Sequence, residues 1–357
     1  NKAFGNENVL EEVKFQNDNI FRIASMTKAI TSLAVMMLWE EGNFSLDDPI
    51  EKFIPEFKNH RILKKFNKND STYTSIKANK KITIRHLLTH SSGLGYGFID
   101  SNPEMKAIFA KKNQKFMNNG VMCFCDEDVK IKNVIKNIAK YPLHHEPGKQ
   151  FTYSVGLDVL GYFIELHSGM QLNDFFRKRI FDPLGMNDTQ FYIESDKKER
   201  LVSVQTKKDN KWEDFNDNRF NVNYPFEGSK SLFFGGCGLT STVSDYAKFL
   251  QMILNKGKIN GNQIVGKKTI ETITEGQNIN AWGSQISLAF GLLTDKDLYK
   301  GYGGSSGTLS TGGYWNTSAF ADPVENIIGI IYKQTYDIGN DPTSAAFRRL
   351  VFQSIIE

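Results

Sequence analysis

Ser25 and Lys28 stand three residues apart at the head of a stretch, Ala29 to Trp39, that carries no charge. On a helix, positions i and i+3 share one face, so this spacing brings an amine to a hydroxyl. A serine hydroxyl is a weak nucleophile at neutral pH and needs a base beside it. A lysine can be that base where burial favours its neutral form. Lys28 is the only charged residue between Ser25 and Glu40, and a helix this apolar carries it into the interior. The N–H groups at that helix N-terminus could also hold an oxyanion. The chemistry on offer is acyl transfer through an ester on Ser25. The plainer alternative is a helix cap followed by a snorkelling surface lysine.

Other residues compete for the same role. Ser195 and Lys198 repeat the spacing, but inside the polar run Ser195-Asp-Lys-Lys-Glu-Arg200 with no apolar helix behind it. Gly303-Gly-Ser-Ser-Gly307 fits the Gly-x-Ser-x-Gly pattern around Ser305. That elbow needs a buried strand before it and a helix after it, and residues 295–302 and 308–313 offer neither. Tyr153, in Phe151-Thr-Tyr-Ser154 after the turn Glu146-Pro-Gly148, could pass a proton, or could be a buried aromatic with a satisfied hydroxyl. His86, His90, His144 and His145 invite a metal reading. His144-His-Glu146 lacks the helical i, i+4 spacing of a zinc site and sits just before Pro147, so no metal is expected.

The run Ile20-Phe-Arg-Ile-Ala-Ser-Met-Thr-Lys-Ala29, with Glu41-Gly-Asn-Phe-Ser-Leu-Asp-Asp-Pro49 behind it, resembles the serine β-lactamase-related family. That family takes in class C β-lactamases, D-alanyl-D-alanine peptidases, β-lactamase-like esterases and acyltransferases. Ile84-Arg-His-Leu-Leu-Thr-His-Ser-Ser-Gly-Leu94, Leu157-Asp-Val-Leu-Gly161, Ile180-Phe-Asp-Pro-Leu-Gly-Met186 and Gly236-Cys-Gly-Leu-Thr-Ser-Thr242 extend the likeness in the family's order. The resemblance implies Ser25 as acylated nucleophile, Lys28 as its proton partner and Tyr153 as the tyrosine of the second motif. It implies that Thr311, Gly312 and Gly313 form the third motif, with the Tyr314 N–H opposite that of Ser25 in an oxyanion hole. A glycine bulge in an edge strand is the alternative for that segment. Two departures stand out: Val155 replaces an asparagine common in the β-lactamases, and Thr311 replaces a lysine. Both missing groups serve β-lactam recognition. The expectation is therefore a carboxylesterase that needs no cofactor and takes a small ester or amide. The alternatives are a β-lactamase or D-alanyl-D-alanine carboxypeptidase, an acyltransferase, or a binding protein that has kept only the fold.

The elements that must position these groups follow from patterning. Residues 29–39 read as a buried helix ending near Gly42, and Leu157, Leu160, Phe163 and Ile164 give an amphipathic helix. Further helices are expected at 172–180, stopping at Asp182-Pro183, and at 244–254 and 343–356. Strands are expected at 287–293, 317–321 and 326–334. Residues 58–81 read as a lysine-rich surface excursion without periodicity. Residues 96–128 read as an irregular rim that could set acyl preference through Phe98, Ile108 and Phe116. The fold class is α/β of the α+β type, β-lactamase/transpeptidase-like, with an antiparallel sheet flanked by helices. Residues 1–58 and 201–357 would form the sheet lobe around a mostly helical insertion, 59–200.

Bulk properties narrow the rest. At 357 residues, 40% hydrophobic and 24% charged, the chain can build a large core and a cleft. A net charge of +4 with scattered lysines argues against nucleic acid. No apolar run reaches the ~18 residues of a membrane span. Cys123 and Cys125 are too close for an ordinary disulfide with each other. The resemblance implies a helix and strand ahead of Ala3-Phe4-Gly5, near where this sequence starts. Localisation, export included, stays open, as does the oligomeric state.

Overall fold

The computed structural model describes residues 1–8, 12–112, 130–216, 221–339 and 341–356. Cys123, Cys125, Phe116 and the expected rim from 113 to 128 lie outside them, as does the side chain of Phe98. The chain enters through β1 (Phe21–Arg22) and a single tight turn, Ala24–Met26, into α1 (Thr27–Glu40). Every residue of α1 from Thr27 to Leu38 is buried, as an all-round apolar sequence requires. At its far end Glu40 accepts from Gly266 N–H at 2.9 Å and Thr269 Oγ1 at 2.6 Å, and Gly42 follows at φ 81°.

Next come the hairpin β2 (Arg61–Phe66) and β3 (Tyr73–Lys77), then α2 (Ile84–Leu88), whose N-terminus is closed by a reciprocal pair of hydrogen bonds between Thr83 and His86. The helices α3 (Pro103–Lys112), α4 (Ile131–Ile138), α5 (Gly156–Ser168) and α6 (Leu172–Phe176) complete the middle of the chain. After them, β4 (Thr240–Ser241) pairs antiparallel with β1. It leads into α7 (Val243–Leu254), capped by Thr242 Oγ1 accepting from Asp245 N–H, and then α8 (Lys267–Thr274).

A six-stranded antiparallel meander closes the fold: β5 (Asn280–Ala281), β6 (Ser284–Ile286), β7 (Gly291–Leu292), β8 (Leu309–Gly313), β9 (Thr317–Asp322) and β10 (Ile327–Ile331), in that spatial order. α7 and the closing helix α9 (Thr343–Gln353) pack on β10. α1 packs on α5, α6 and α8, so the helix that carries Lys28 joins the middle helices to the later part of the chain. Among the described residues no helix is long and apolar enough to cross a membrane.

Four expectations need correction. Residues 58–81 are not irregular but hold the β2–β3 hairpin, paired from Arg61↔Lys77 to Phe66↔Tyr73. Its strands stand largely in solvent, so lysines on both faces erase the period-2 signal. The apolar run 287–293 is not one strand. Ser287 Oγ accepts from Phe290 N–H at 3.0 Å and Ser287 N–H donates to Phe290 O at 2.8 Å, turning the chain between β6 and β7. The helix after Leu172 does not stop at Asp182-Pro183. It widens over Arg177–Phe181 and continues through Leu184 to Gly185 at φ 66°. Pro183 falls in the first turn of that last piece, where a missing N–H costs little. Residues 103–112 of the expected irregular rim form α3, and its Ile108 belongs to the core, 1% exposed.

Candidate active site

Ser25 sits on the turn that feeds α1. The residue before it, Ala24, is buried with φ 44°, a left-handed backbone that alanine keeps only when its surroundings hold it. Those surroundings are specific. Ile23 N–H donates to Leu239 O and Met26 N–H to Ile23 O, both at 3.1 Å. The Gln334 side chain brackets Arg22, accepting from its N–H at 2.7 Å and donating to its carbonyl at 3.4 Å. The Arg22 guanidinium is buried on the carbonyls of Val222 and Val202, and desolvation draws its pKa down to about 10.

Lys28 is 7% exposed. Its Nζ donates to Ser25 Oγ at 3.2 Å, to Gly236 O at 2.5 Å and to Tyr96 OH at 3.4 Å. Tyr153 OH donates to the same Ser25 Oγ at 2.7 Å. The Tyr96 ring lies parallel to that of Tyr153, centroids 5.2 Å apart, and the ammonium stands 4.8 Å from the Tyr153 ring and 5.1 Å from the Tyr96 ring. The cation is thus cradled by two π faces and a carbonyl. His90 packs 4.7 Å from Tyr153, and its Nδ1 accepts from Ser154 N–H at 3.1 Å. Burial, and then the Lys28 charge, lower its pKa to about 3, so His90 is neutral.

Opposite Lys28, Asp158 on α5 is fully buried. Its Oδ1 accepts from Gly236 N–H at 2.8 Å, and its Oδ2 has no hydrogen-bond partner among the described residues. Desolvation raises this carboxyl to about 6, against the pull of Lys28 and of the Gly236 N–H. Gly236 is held at both ends, its N–H by Asp158 and its carbonyl by Lys28. A Cβ there would meet Asp158 Oδ2 at 2.6 Å.

The third motif lies on β8. On one side it pairs with β9 in unbroken register, Thr311↔Ala319, Gly312↔Ser318 and Gly313↔Thr317, with no bulge. On the other side β7 reaches only to Ser310. Beyond that point the strand runs against the Ala24–Met26 turn, so closely that a Cβ on Gly313 would come 2.3 Å from Ile23 O. Ser25, Lys28, Tyr153, Thr311 and Gly312 line one open cleft, together with His90, Trp282 and Leu288. The Tyr314 side chain is turned elsewhere, packed on Trp315 and Tyr336 beside a separate hollow that includes Asp337 and Asp341. Only its main chain can take the role the motif implies. Val155 also faces away, into an apolar hollow with Leu94, Met105, Phe109 and Ile138.

Tyr96, Asp158, Gly236 and Trp282 belong to this site but were not singled out in the sequence. Asp158 is the only charge between Val155 and Ile164, the same signal that marks Lys28. Tyr96 has no such local mark, because it meets Lys28 across 68 residues. Ser195 lies on an exposed turn, Ser195–Arg200, and Ser305 on a loop where its N–H donates to Asp322.

The model of one protein family, Beta-lactamase, matches residues 1–352. An uncharacterized protein of Mycobacterium tuberculosis is 31% identical over 88% of this chain and 77% of its own length. Lovastatin esterase of Penicillium rubens is 29% identical over 92% and 84%. The structure of unliganded simvastatin synthase from Aspergillus terreus superposes with a TM-score of 0.79, covering 98% of this chain and 88% of that one at 21% identity.

Proposed function

The chain belongs to the beta-lactamase family and is a serine hydrolase, and from that premise we propose that it is a carboxylesterase acylated on Ser25. The observation that carries this reading is the convergence of Tyr153 and Lys28 on one oxygen, at 2.7 and 3.2 Å. In the proposed cycle Ser25 Oγ attacks the ester carbonyl while its proton passes to the Tyr153–Lys28 pair. The negative charge that develops on the carbonyl oxygen is taken by the N–H groups of Ser25 and Tyr314. The pair then returns the proton to the departing alkoxide, leaving an acyl ester on Ser25. Water repeats the sequence in reverse and frees the acid. To accept that proton the pair enters the cycle with one of its two groups deprotonated, and Gly236 O fixes the Lys28 nitrogen beside the phenol oxygen.

Two features favour esters over β-lactams. A β-lactam carboxylate calls for a cation at the third motif, and Thr311 offers a neutral hydroxyl. Its amide side chain calls for a donor near the tyrosine, and Val155 lines a different hollow. A second reading, transfer of the acyl group to an alcohol, is favoured by the opening of the cleft to solvent, through which an alcohol can reach the acyl-enzyme as water does. The test is the mass of the intact protein after exposure to a fluorophosphonate, p-nitrophenyl butyrate and a penicillin, alongside kcat/KM for p-nitrophenyl butyrate and nitrocefin. One adduct on Ser25 with the ester preferred by orders of magnitude is the expected result. A faster nitrocefin reaction would sink the esterase reading.

A further inference from the structure

The hairpin β5–β6 brings an aromatic ring to the cleft at an energetic cost. Ala281 pairs with Ser284, so Trp282 and Gly283 alone make the turn, with φ 49° and 84°. Positive φ at both central residues is the type I′ pattern, for which Asn-Gly is the favoured pair. A tryptophan at the first position is a backbone outlier, costing on the order of 1 kcal/mol or more. The ring recovers little of this by burial, since it is 76% exposed.

The turn is nevertheless fixed from two sides. Lys300 Nζ donates to Gly283 O, and Ser284 Oγ donates to Asp297 Oδ2 at 2.8 Å, while Lys300 and Asp297 pair at 2.7 Å. So held, the indole stands over Phe151, centroids 4.8 Å apart, and over Tyr153 at 5.5 Å, and it lines the same cleft as Ser25.

We infer that Trp282 is a substrate-binding wall that recognises the alcohol half of the ester when that half carries an apolar ring. The assignment to the alcohol half rests on the acyl-enzyme reading above. Tyr153 must face the oxygen that leaves with the alcohol, and the group lying outside Tyr153 on that side meets the indole. One exposed face of a fixed aromatic suits a flat, apolar partner, to which it offers stacking without losing rotamer freedom.

The experiment compares two butyrates that differ only in the alcohol, 2-naphthyl and ethyl. Trp282→Ala is expected to lower kcat/KM for the naphthyl ester about tenfold, with ethyl butyrate within about twofold of wild type and Trp282→Phe recovering most of the loss. Trp282→Asn is expected to lose the same selectivity while raising the melting temperature, because it relaxes the turn. Equal losses on both esters, no loss on either, or a lower melting temperature for Trp282→Asn would overturn the assignment. Fluorophosphonate labelling of the same preparations separates the two readings. An unlabelled wild-type Ser25 overturns both, whereas labelled variants with unchanged selectivity overturn the role of Trp282 alone.

Discussion

The Ser25 hydroxyl is reached by Tyr153 from the loop before α5 and by Lys28 from the first turn of α1, so each partner can be removed while the other stays in place. Ser25→Ala and Lys28→Ala should each lower the rate on p-nitrophenyl butyrate by ~10³ or more with the circular dichroism spectrum unchanged. Ser195→Ala should leave the rate at the wild-type level. Asp158 gives a pH-dependent signature. Its carboxyl is raised from 3.8 to about 6 in the fold, so the folded state holds the proton more tightly and stability falls as pH rises between those values. Asp158→Asn lacks this titration, and relative to wild type it should gain up to about 3 kcal/mol between pH 4 and pH 7. Parallel urea titrations at the two pH values read the difference; a constant offset would contradict it. Val155→Asn, which the family's β-lactamases suggest as a gain, would bury an amide among Leu94, Met105 and Phe109. We expect a loss of roughly 1 to 3 kcal/mol in urea midpoint experiments and no increase in nitrocefin turnover.

At the scale of elements, the site depends on how closely β8 approaches the turn before α1. Gly313 makes that approach possible, since a Cβ there would meet Thr317 Oγ1 at 2.2 Å and Ile23 O at 2.3 Å. Gly313→Ala should push the strand off the Ser25 turn and cut kcat at least tenfold, by a barrier change of ~1.4 kcal/mol or more. At Gly312 a Cβ would meet only Thr317 O, at 3.4 Å. Gly312→Ala should therefore keep the wild-type melting temperature, and comparing the two thermal scans separates crowding at one position from a general intolerance of the strand. α1 is clasped in the same way: Thr31 Oγ1 donates to Gly235 O at 2.6 Å and Thr27 Oγ1 accepts from Leu239 N–H at 3.2 Å. The loop that holds Lys28 is thus fixed to the helix that carries it.

For the molecule as a whole, the segment leading to the Ser25 turn is where distant segments meet. Ile20 pairs with Leu201, β1 with β4, and Arg22 with Gln334, 312 residues away. Gln334→Leu would leave two buried main-chain groups of Arg22 without their partner, a loss of about 1 to 3 kcal/mol, and should lower the urea midpoint of activity and of tryptophan fluorescence together. Separate midpoints would mean the site melts apart from the fold. Lys28 and the apolar helix behind it were legible in the sequence because a lone charge in an uncharged run is a local signal, and so were β9, β10, α7 and α9 to within a few residues. The hairpin at 61–77 was not, since two solvated faces leave no hydropathy period, and neither was the turn at Ser287, because a side-chain hydrogen bond breaks an apolar run without changing its composition. The sequence by itself determined the Ser25–Lys28 spacing and the order of the motifs, which are properties of the chain. Only the tertiary structure decided what surrounds them. Tyr96, Asp158 and Trp282 reach Lys28, Gly236 and the cleft across tens of residues or more, and Val155 and the Tyr314 ring turn away, because side-chain direction is set by packing partners that no local pattern encodes.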